Sequence, residues 1–342
     1  MIKTLAISNY RSLLNLVIPF GNLNLITGEN ASGKFNLYKA LRLLSETAQG
    51  GVVNSLAREG GLTSTFWAGP TAFSLDPEIK RESIWAGDFY RPASALVDRE
   101  GSLIKVNDKR SWEVIHQHAS NFDSIFTQAT NPEKSPEVLT LKEHIRGWRF
   151  YDHFRSDAEA PSRLPQLGTR TPVLHHDGRD LAAALQTIIE IGDVDALHEA
   201  ISDAFPGAKL SISIQEDGRF IVNLHQHGLL RPLSASELSD GTLRYLLWVA
   251  ALLTPRPPTL MVLNEPETSL HPDLLPALGR LIIRAASITQ VWVVSHSNRL
   301  IAALESAEDC NSVRLEKTLG QTKIVGQDML DEPMWKWPDH NK

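Results

Sequence analysis

With 342 residues and 42% apolar side chains, the chain can build one large α/β domain or two lobes that share an interface. Its 34 Lys and Arg against 40 Asp and Glu give a net charge of -6, which excludes a global pull toward nucleic acid or anionic lipid; any DNA contact needs a local patch. Cys310 is the only cysteine, which excludes an internal disulfide or thiolate zinc cluster, and the most apolar stretch, Tyr245 to Leu253, is far short of the roughly 20 residues that span a membrane. No membrane partner and a cytoplasmic location are therefore expected.

In chain order, Leu5 to Ile7, Leu16 to Ile18 and Leu23 to Ile26 are short apolar runs separated by turn residues, which predicts three strands. The third runs straight into Gly28-Glu29-Asn30-Ala31-Ser32-Gly33-Lys34. Beyond it, Leu37, Ala40, Leu41 and Leu44 mark one face of a helix. From about Gly50 to Ser111, alternating runs broken by Gly and Pro, such as Ser64 to Pro70 and Ser102 to Val106, predict antiparallel hairpins. Residues 130–179, with Pro132, Pro136, Pro161, Pro165 and Pro172, predict mostly irregular connection. Two helices with a break at Gly192 are expected between Asp177 and Phe205, then a hairpin around Glu216-Asp217-Gly218. The rest alternates: a helix from Thr242 to Leu253, a strand at Leu260 to Leu263, a helix from about Pro272 to Ala286 and a strand at Val291 to Val294. No internal repeat or sustained heptad occurs.

The chemistry concentrates at four places. Gly28 to Lys34 matches G-x-x-x-x-G-K, in which glycines let backbone N–H groups turn onto phosphate oxygens and Lys34 adds a positive charge. The helix that follows points its N-terminal dipole at the same anion, so Phe35 and Asn36 also belong to the candidate binding segment. The position after the lysine normally holds Ser or Thr, whose hydroxyl ligates Mg²⁺; Phe35 has no such atom. Thr259 to Pro266 is an apolar strand ending in Asn264-Glu265, where an Asp-Glu pair usually helps hold Mg²⁺ and polarises a water. Asn264 keeps a carbonyl ligand without the charge. Leu238-Ser239-Asp240-Gly241-Thr242 opens a helix and suits a γ-phosphate, although Ser-Asp-Gly is also an ordinary helix start. Finally, Ser269-Leu270-His271 is followed by a strand that ends at Ser295-His296-Ser297.

The order of these segments, with Asn9-Tyr10-Arg11-Ser12, Leu238 to Arg244 and Asn264 to Pro272, resembles the soluble RecF-like, SMC-like and OLD-like branch of the ABC-type ATPases, and most of all RecF-like ATPases of bacteria. The resemblance implies a P-loop NTPase of ABC-ATPase head type. It would have an N-terminal antiparallel β lobe plus a parallel-sheet core, without a long coiled coil. It also implies one such domain over 1–342, with lobe I at about 1–115, an irregular or helical insert at about 116–180 and lobe II at about 181–342. Lys34 would hold the β- and γ-phosphates of ATP, Glu265 would be the general base, and His296 would sense the γ-phosphate. Ser239, Asp240 and Gly241 would address the nucleotide of a second copy in an ATP-sandwich homodimer, Ser269 to His271 would cross that interface, and Arg11 would lie near the nucleotide or the partner's signature helix. DNA and an effector protein are the implied further partners, in DNA repair, recombination or phage defence. Phe35 and Asn264 leave a second reading open, an ATP-gated interaction module with impaired hydrolysis. A transporter subunit is disfavoured, because a long insert separates the phosphate loop from the signature and no Q-loop glutamine can be placed.

Other candidates have plainer explanations. His116/His118 and His225/His227 pair imidazoles on a strand face without a visible third ligand. Residues 142–179 carry Lys142, Arg146, Arg149, Arg155, Arg163, Arg170 and Arg179 with Trp148, Phe150 and Tyr151 interleaved, the composition of a nucleic-acid surface, but acidic residues offset most of it. Trp335 and Trp337 suggest a tail that docks.

Overall fold

The structure is a computed structural model, and it describes residues 1–66, 78–87, 90–107 and 111–327. The C-terminal tryptophans Trp335 and Trp337 lie outside these. In chain order the elements begin with strands β1 (Thr4–Tyr10), β2 (Leu13–Pro19) and β3 (Leu23–Gly28), then helices α1 (Lys34–Ala48), α2 (Val52–Arg58) and α3 (Leu62–Thr65). Strands β4 (Arg81–Trp85), β5 (Ala95–Glu100), β6 (Leu103–Asn107) and β7 (Trp112–His116) follow, with helices α4 (Ile125–Gln128) and α5 (Pro136–Arg146). Next come β8 (Arg149–Tyr151), β9 (Gln166–Leu167), α6 (Leu181–Ile191), α7 (Val194–Ala204), β10 (Lys209–Ile214), β11 (Arg219–His225) and β12 (Leu233–Ser234). The chain continues with α8 (Asp240–Leu252), β13 (Leu260–Asn264), α9 (Leu275–Ala286), β14 (Gln290–Val294), α10 (Asn298–Glu305), β15 (Cys310–Thr318) and β16 (Gln321–Ile324).

Contacts group these elements into two compact units that interleave along the sequence. One unit comprises Met1 with residues 21–27 and 149–313; the other takes the described residues of 2–20, 28–148 and 314–327.

The first unit is built on a parallel sheet in the order β3, β14, β13, β8. β13 and β14 are almost wholly buried, as befits parallel strands covered on both faces, and so read as unbroken apolar runs. α8 is buried on nearly every side from Leu243 to Leu252, which is why its sequence lacks a polar face. α6, α7 and α9 pack their apolar stripes around it, and Asp193 caps α7 by accepting from the Ala196 N–H at 2.9 Å. The hairpin expected at Glu216 to Gly218 is present as β10 and β11. Two features of the proline-rich stretch differ from expectation. β8 is only three residues long yet pairs with Met261 to Leu263, and such a short strand leaves no periodicity to detect. α5, in the other unit, was expected to be irregular; Pro136 occupies the first helical position, where its missing N–H costs nothing, and so starts a helix.

The second unit holds the β1–β2 ribbon, the antiparallel sheet β4-β5-β6-β7 and α1 to α5. α1 buries Lys34, Leu37, Tyr38, Leu41, Ser45 and Ala48, the spacing of one helical face. Between Gly50 and Thr65 the hairpin expectation fails, because the glycines there end helices: Gly60 and Gly61 have φ 93° and 82°, and the Gly61 N–H donates to the Leu56 carbonyl at 2.9 Å. The longest helix among the described residues is α1 at 15 residues, so no long coiled coil occurs among them.

Candidate functional site

Three segments leave the parallel sheet from one edge. Ile26 of β3 pairs with Val294 of β14, and Val294 pairs with Asn264 of β13. The chain beyond Ile26, Asn264 and Val294 is therefore the glycine loop, Glu265 and Ser295-His296. In an open parallel sheet this carboxyl edge is where ligands bind.

The glycine loop belongs to the second unit. Glu29, Asn30 and Ala31 form its exposed crest, and Ala31 sits at φ 64°. Gly33 caps α1 at φ 105°, where a Cβ would stand 2.0 Å from Thr322 Oγ1. A Cβ on Gly28, at φ 146°, would stand 2.3 Å from the Leu315 carbonyl oxygen. Lys34 is largely buried, and its ammonium donates to the carbonyls of Gly28 at 2.6 Å and Glu29 at 2.9 Å. Below the loop a hydroxyl network fixes it. Ser12 Oγ and Thr322 Oγ1 are 2.6 Å apart, Thr322 Oγ1 donates to the Ser32 carbonyl at 2.9 Å, and Asn36 Nδ2 donates to Ser12 Oγ at 2.8 Å. No acidic side chain occupies the first turn of α1, so nothing on that helix competes with an anion there. Ser12 and Thr322, some 300 positions apart, thus support a loop of phosphate-cradle shape in a way that sequence spacing could not reveal.

Phe35 is half exposed and stacks on Tyr38, with ring centroids 5.9 Å apart and planes within 8°. Lys39 Nζ lies 4.9 Å from the Phe35 ring centroid. The side chain offers no oxygen and Asn264 only an uncharged one, so neither residue fits Mg²⁺ in the way a hydroxyl or a carboxylate would. No step proposed below for the native chain is routed through a metal. Arg11, at φ 50°, is held by Glu59, which accepts from Arg11 Nη2 at 2.7 Å and from the Tyr10 hydroxyl at 3.1 Å. Burial alone would raise the Glu59 carboxyl, but the Arg11 hydrogen bond and charge hold it below the usual carboxylate range. Burial pushes Tyr10 up to about 12.

In the first unit, Glu265 adopts φ 49°, an uncommon conformation for a side chain of its kind, and its N–H donates to the Val294 carbonyl at 2.8 Å. Its half-exposed carboxylate lies 3.7 Å from His296 Nδ1. Glu267, two residues on, is buried and was assigned no role by the sequence; its Oε1 lies 3.4 Å from the same nitrogen. Ser239 caps α8, accepting from the Thr242 N–H at 3.2 Å. Asp240 accepts from Arg163 Nη2 at 2.6 Å. Arg163 also donates to the carbonyls of Ser156, Ala235 and Leu238, and Arg244 donates to Ser156 Oγ at 3.0 Å and to the Thr268 carbonyl at 3.2 Å. Two buried guanidiniums thus fix the signature segment, and the burial of Arg244 lowers its pKa. Gly241 approaches the segment after β13 closely: a Cβ there would be 3.3 Å from the Ser269 carbonyl oxygen, and Ser269 has φ 60°.

In the basic stretch, burial and pairing take up several of the side chains that a base-stacking surface would use. Trp148, Tyr151 and Arg163 are buried, while Arg146, Arg155 and Arg179 pair with Glu143, Asp157 and Asp177. Among the described residues neither His116/His118 nor His225/His227 gathers a third ligand. The one three-ligand grouping is His175, His176 and Asp177, and the Arg179 guanidinium lies 3.2 Å from His175 Nδ1. Burial pushes the Cys310 thiol up to about 11, which favours its protonated form. No helix among the described residues is long and apolar enough to cross a membrane.

Comparison with solved structures places this architecture. An SMC head bound to the C-terminal winged-helix domain of ScpA matches with a TM-score of 0.58 and 15% identity over 96% of this chain and 98% of that one. An SMC head with an extended coiled coil from Pyrococcus furiosus, bound to the C-terminal domain of ScpA, matches with a TM-score of 0.53 and 14% identity over 94% and 95%. The fold is that of an SMC-like, ABC-type P-loop ATPase head. No curated protein sequence matches significantly. The chain belongs to the family described as "AAA domain, putative AbiEii toxin, Type IV TA system", whose profile matches residues 72–302 and so takes in the signature, Glu265 and His296 while beginning after the glycine loop. Membership in this family of AAA domains implies nucleotide binding.

Proposed function

We propose that the chain binds ATP through Gly28 to Asn36 and that ATP joins two copies, each signature segment addressing the nucleotide held by the other. The observation that carries this is the phosphate cradle: a buried Lys34 ammonium resting on loop carbonyls, at the start of a helix whose first turn bears no acid. Glu265 acts as general base and His296 as the group that senses the γ-phosphate. Ser239 and Gly241, at the N-terminus of the 13-residue helix α8, supply a hydroxyl and open backbone for the partner's nucleotide. Light scattering tests the pairing: the mass is expected to double with ATP in the wild type and to stay monomeric in Gly241→Asp, whose new charge would face phosphate. An ATP-independent mass contradicts the sandwich. Of repair, recombination and defence, the family description, which names a toxin of a toxin–antitoxin system, supports defence. An effector protein is the further partner favoured over DNA, because Arg146, Arg155 and Arg179 of the basic stretch are paired with neighbouring carboxylates.

The second reading, an ATP-gated module with slow hydrolysis, is favoured by Phe35, which puts a ring where the metal-binding hydroxyl belongs. Restoring that hydroxyl decides between the two. With Mg²⁺ present, Phe35→Ser is expected to raise ATP turnover at least about tenfold with little change in nucleotide affinity, a metal contact being worth several kcal/mol to the transition state. Equal turnover in both proteins would show that Phe35 does not limit hydrolysis.

A further inference from the structure

We infer that Glu267 is the positioning residue for His296, and that it makes the histidine able to tell ATP from ADP. This rests on the ATP reading above. Glu267 Oε1 accepts three hydrogen bonds from the turn that follows β14: from Ser295 Oγ at 2.7 Å, from the His296 N–H at 2.9 Å and from the Ser297 N–H at 3.2 Å. Two successive backbone amides and a hydroxyl therefore converge on one carboxylate oxygen, and each bond is strengthened by its charge. The turn carrying His296 is held by the segment after β13, which also carries Glu265.

The same oxygen lies 3.4 Å from His296 Nδ1, and Glu265 Oε1 lies 3.7 Å from it. Both carboxylates thus face the Nδ1 edge of the ring, which leaves Nε2 as the edge for a ligand. The His296 side chain is itself more than half exposed, so packing does not fix its direction. Glu267 is costly where it stands: it is buried, and its second oxygen has no partner among the described residues. A buried acid that satisfies only one oxygen contributes little to stability beyond what an apolar residue of the same size would give. Its placement is explained by the geometry it imposes on the turn.

The test uses the full chain and two readouts: calorimetric titration with ATP and with ADP, and amide hydrogen exchange at His296 and Ser297. Wild type is expected to prefer ATP. Glu267→Ala is expected to lose protection at both amides and to narrow the ATP preference by about tenfold or more, the loss of one charge-assisted contact, while its ADP affinity stays within about twofold. His296→Ala should narrow the preference equally. Glu267→Gln keeps an oxygen acceptor at the same reach and should retain most of the protection and preference; it serves as the folded comparison should the alanine variant melt early. An unchanged ATP preference in Glu267→Ala overturns the inference, and so does an equal loss of ATP and ADP binding, which marks a merely structural role. Wild type that binds neither nucleotide, or both alike, sinks the ATP reading itself and the inference with it.

Discussion

In the Phe35→Ser background, Glu265→Gln is expected to lower ATP turnover by about 10²–10⁴-fold, the range a positioned general base contributes. Gln keeps the size of Glu and removes only the group that can take a proton. Glu265 has the placement the role needs: it directly follows a buried parallel strand, its backbone is held at φ 49° by the bond to Val294, and its carboxylate remains half exposed and able to meet a water. A positive φ at a non-glycine residue costs on the order of 1–3 kcal/mol and persists where the surroundings enforce it. ATP binding and ATP-driven pairing should survive this substitution, because neither uses the carboxylate's basicity. Steady-state turnover and light scattering on the same sample check both halves. Turnover that falls less than about tenfold would remove Glu265 from the role of base.

Much of this architecture is legible in the sequence because it is locally encoded. The glycine loop, the strands on either side of Gly21, the broken helix pair at Gly192 and the β10–β11 hairpin all follow from patterns within a few residues. Where local chemistry is ambiguous, the expectation erred. The glycine pair Gly60-Gly61, which looks like a strand break, ends α2 instead, and Pro136 starts a helix rather than interrupting a connection. The segments at the carboxyl edge of the sheet are legible in the sequence, but their supports are not. Arg163 looks like one of several basic surface residues until the carbonyls of Ser156, Ala235 and Leu238 close around it. Thr322 has no signal at all, since its partners Ser12 and Ser32 lie about 300 residues away. Glu267 sits in full view within Glu265-Pro266-Glu267, yet only the folded turn at Ser295 to Ser297 shows what it holds.

The proposed phosphate cradle is the part on which the rest of the proposed function depends, and Lys34 is its charge. Its ammonium is largely buried and already oriented by the Gly28 and Glu29 carbonyls, so a nucleotide gains the contact with little ordering cost. Lys34→Met keeps the apolar stem inside α1 and removes the charged head. A hydrogen bond to a charged group is worth about 1.5–3 kcal/mol, and a triphosphate engages the ammonium with more than one oxygen, so a loss of about 100-fold in ATP affinity is expected. The deciding measurement is therefore a calorimetric titration of the full chain with ATP, wild type beside Lys34→Met. Saturable binding in the wild type, weakened about 100-fold in the variant, is the predicted result; no binding in the wild type, or equal binding in both, would contradict it.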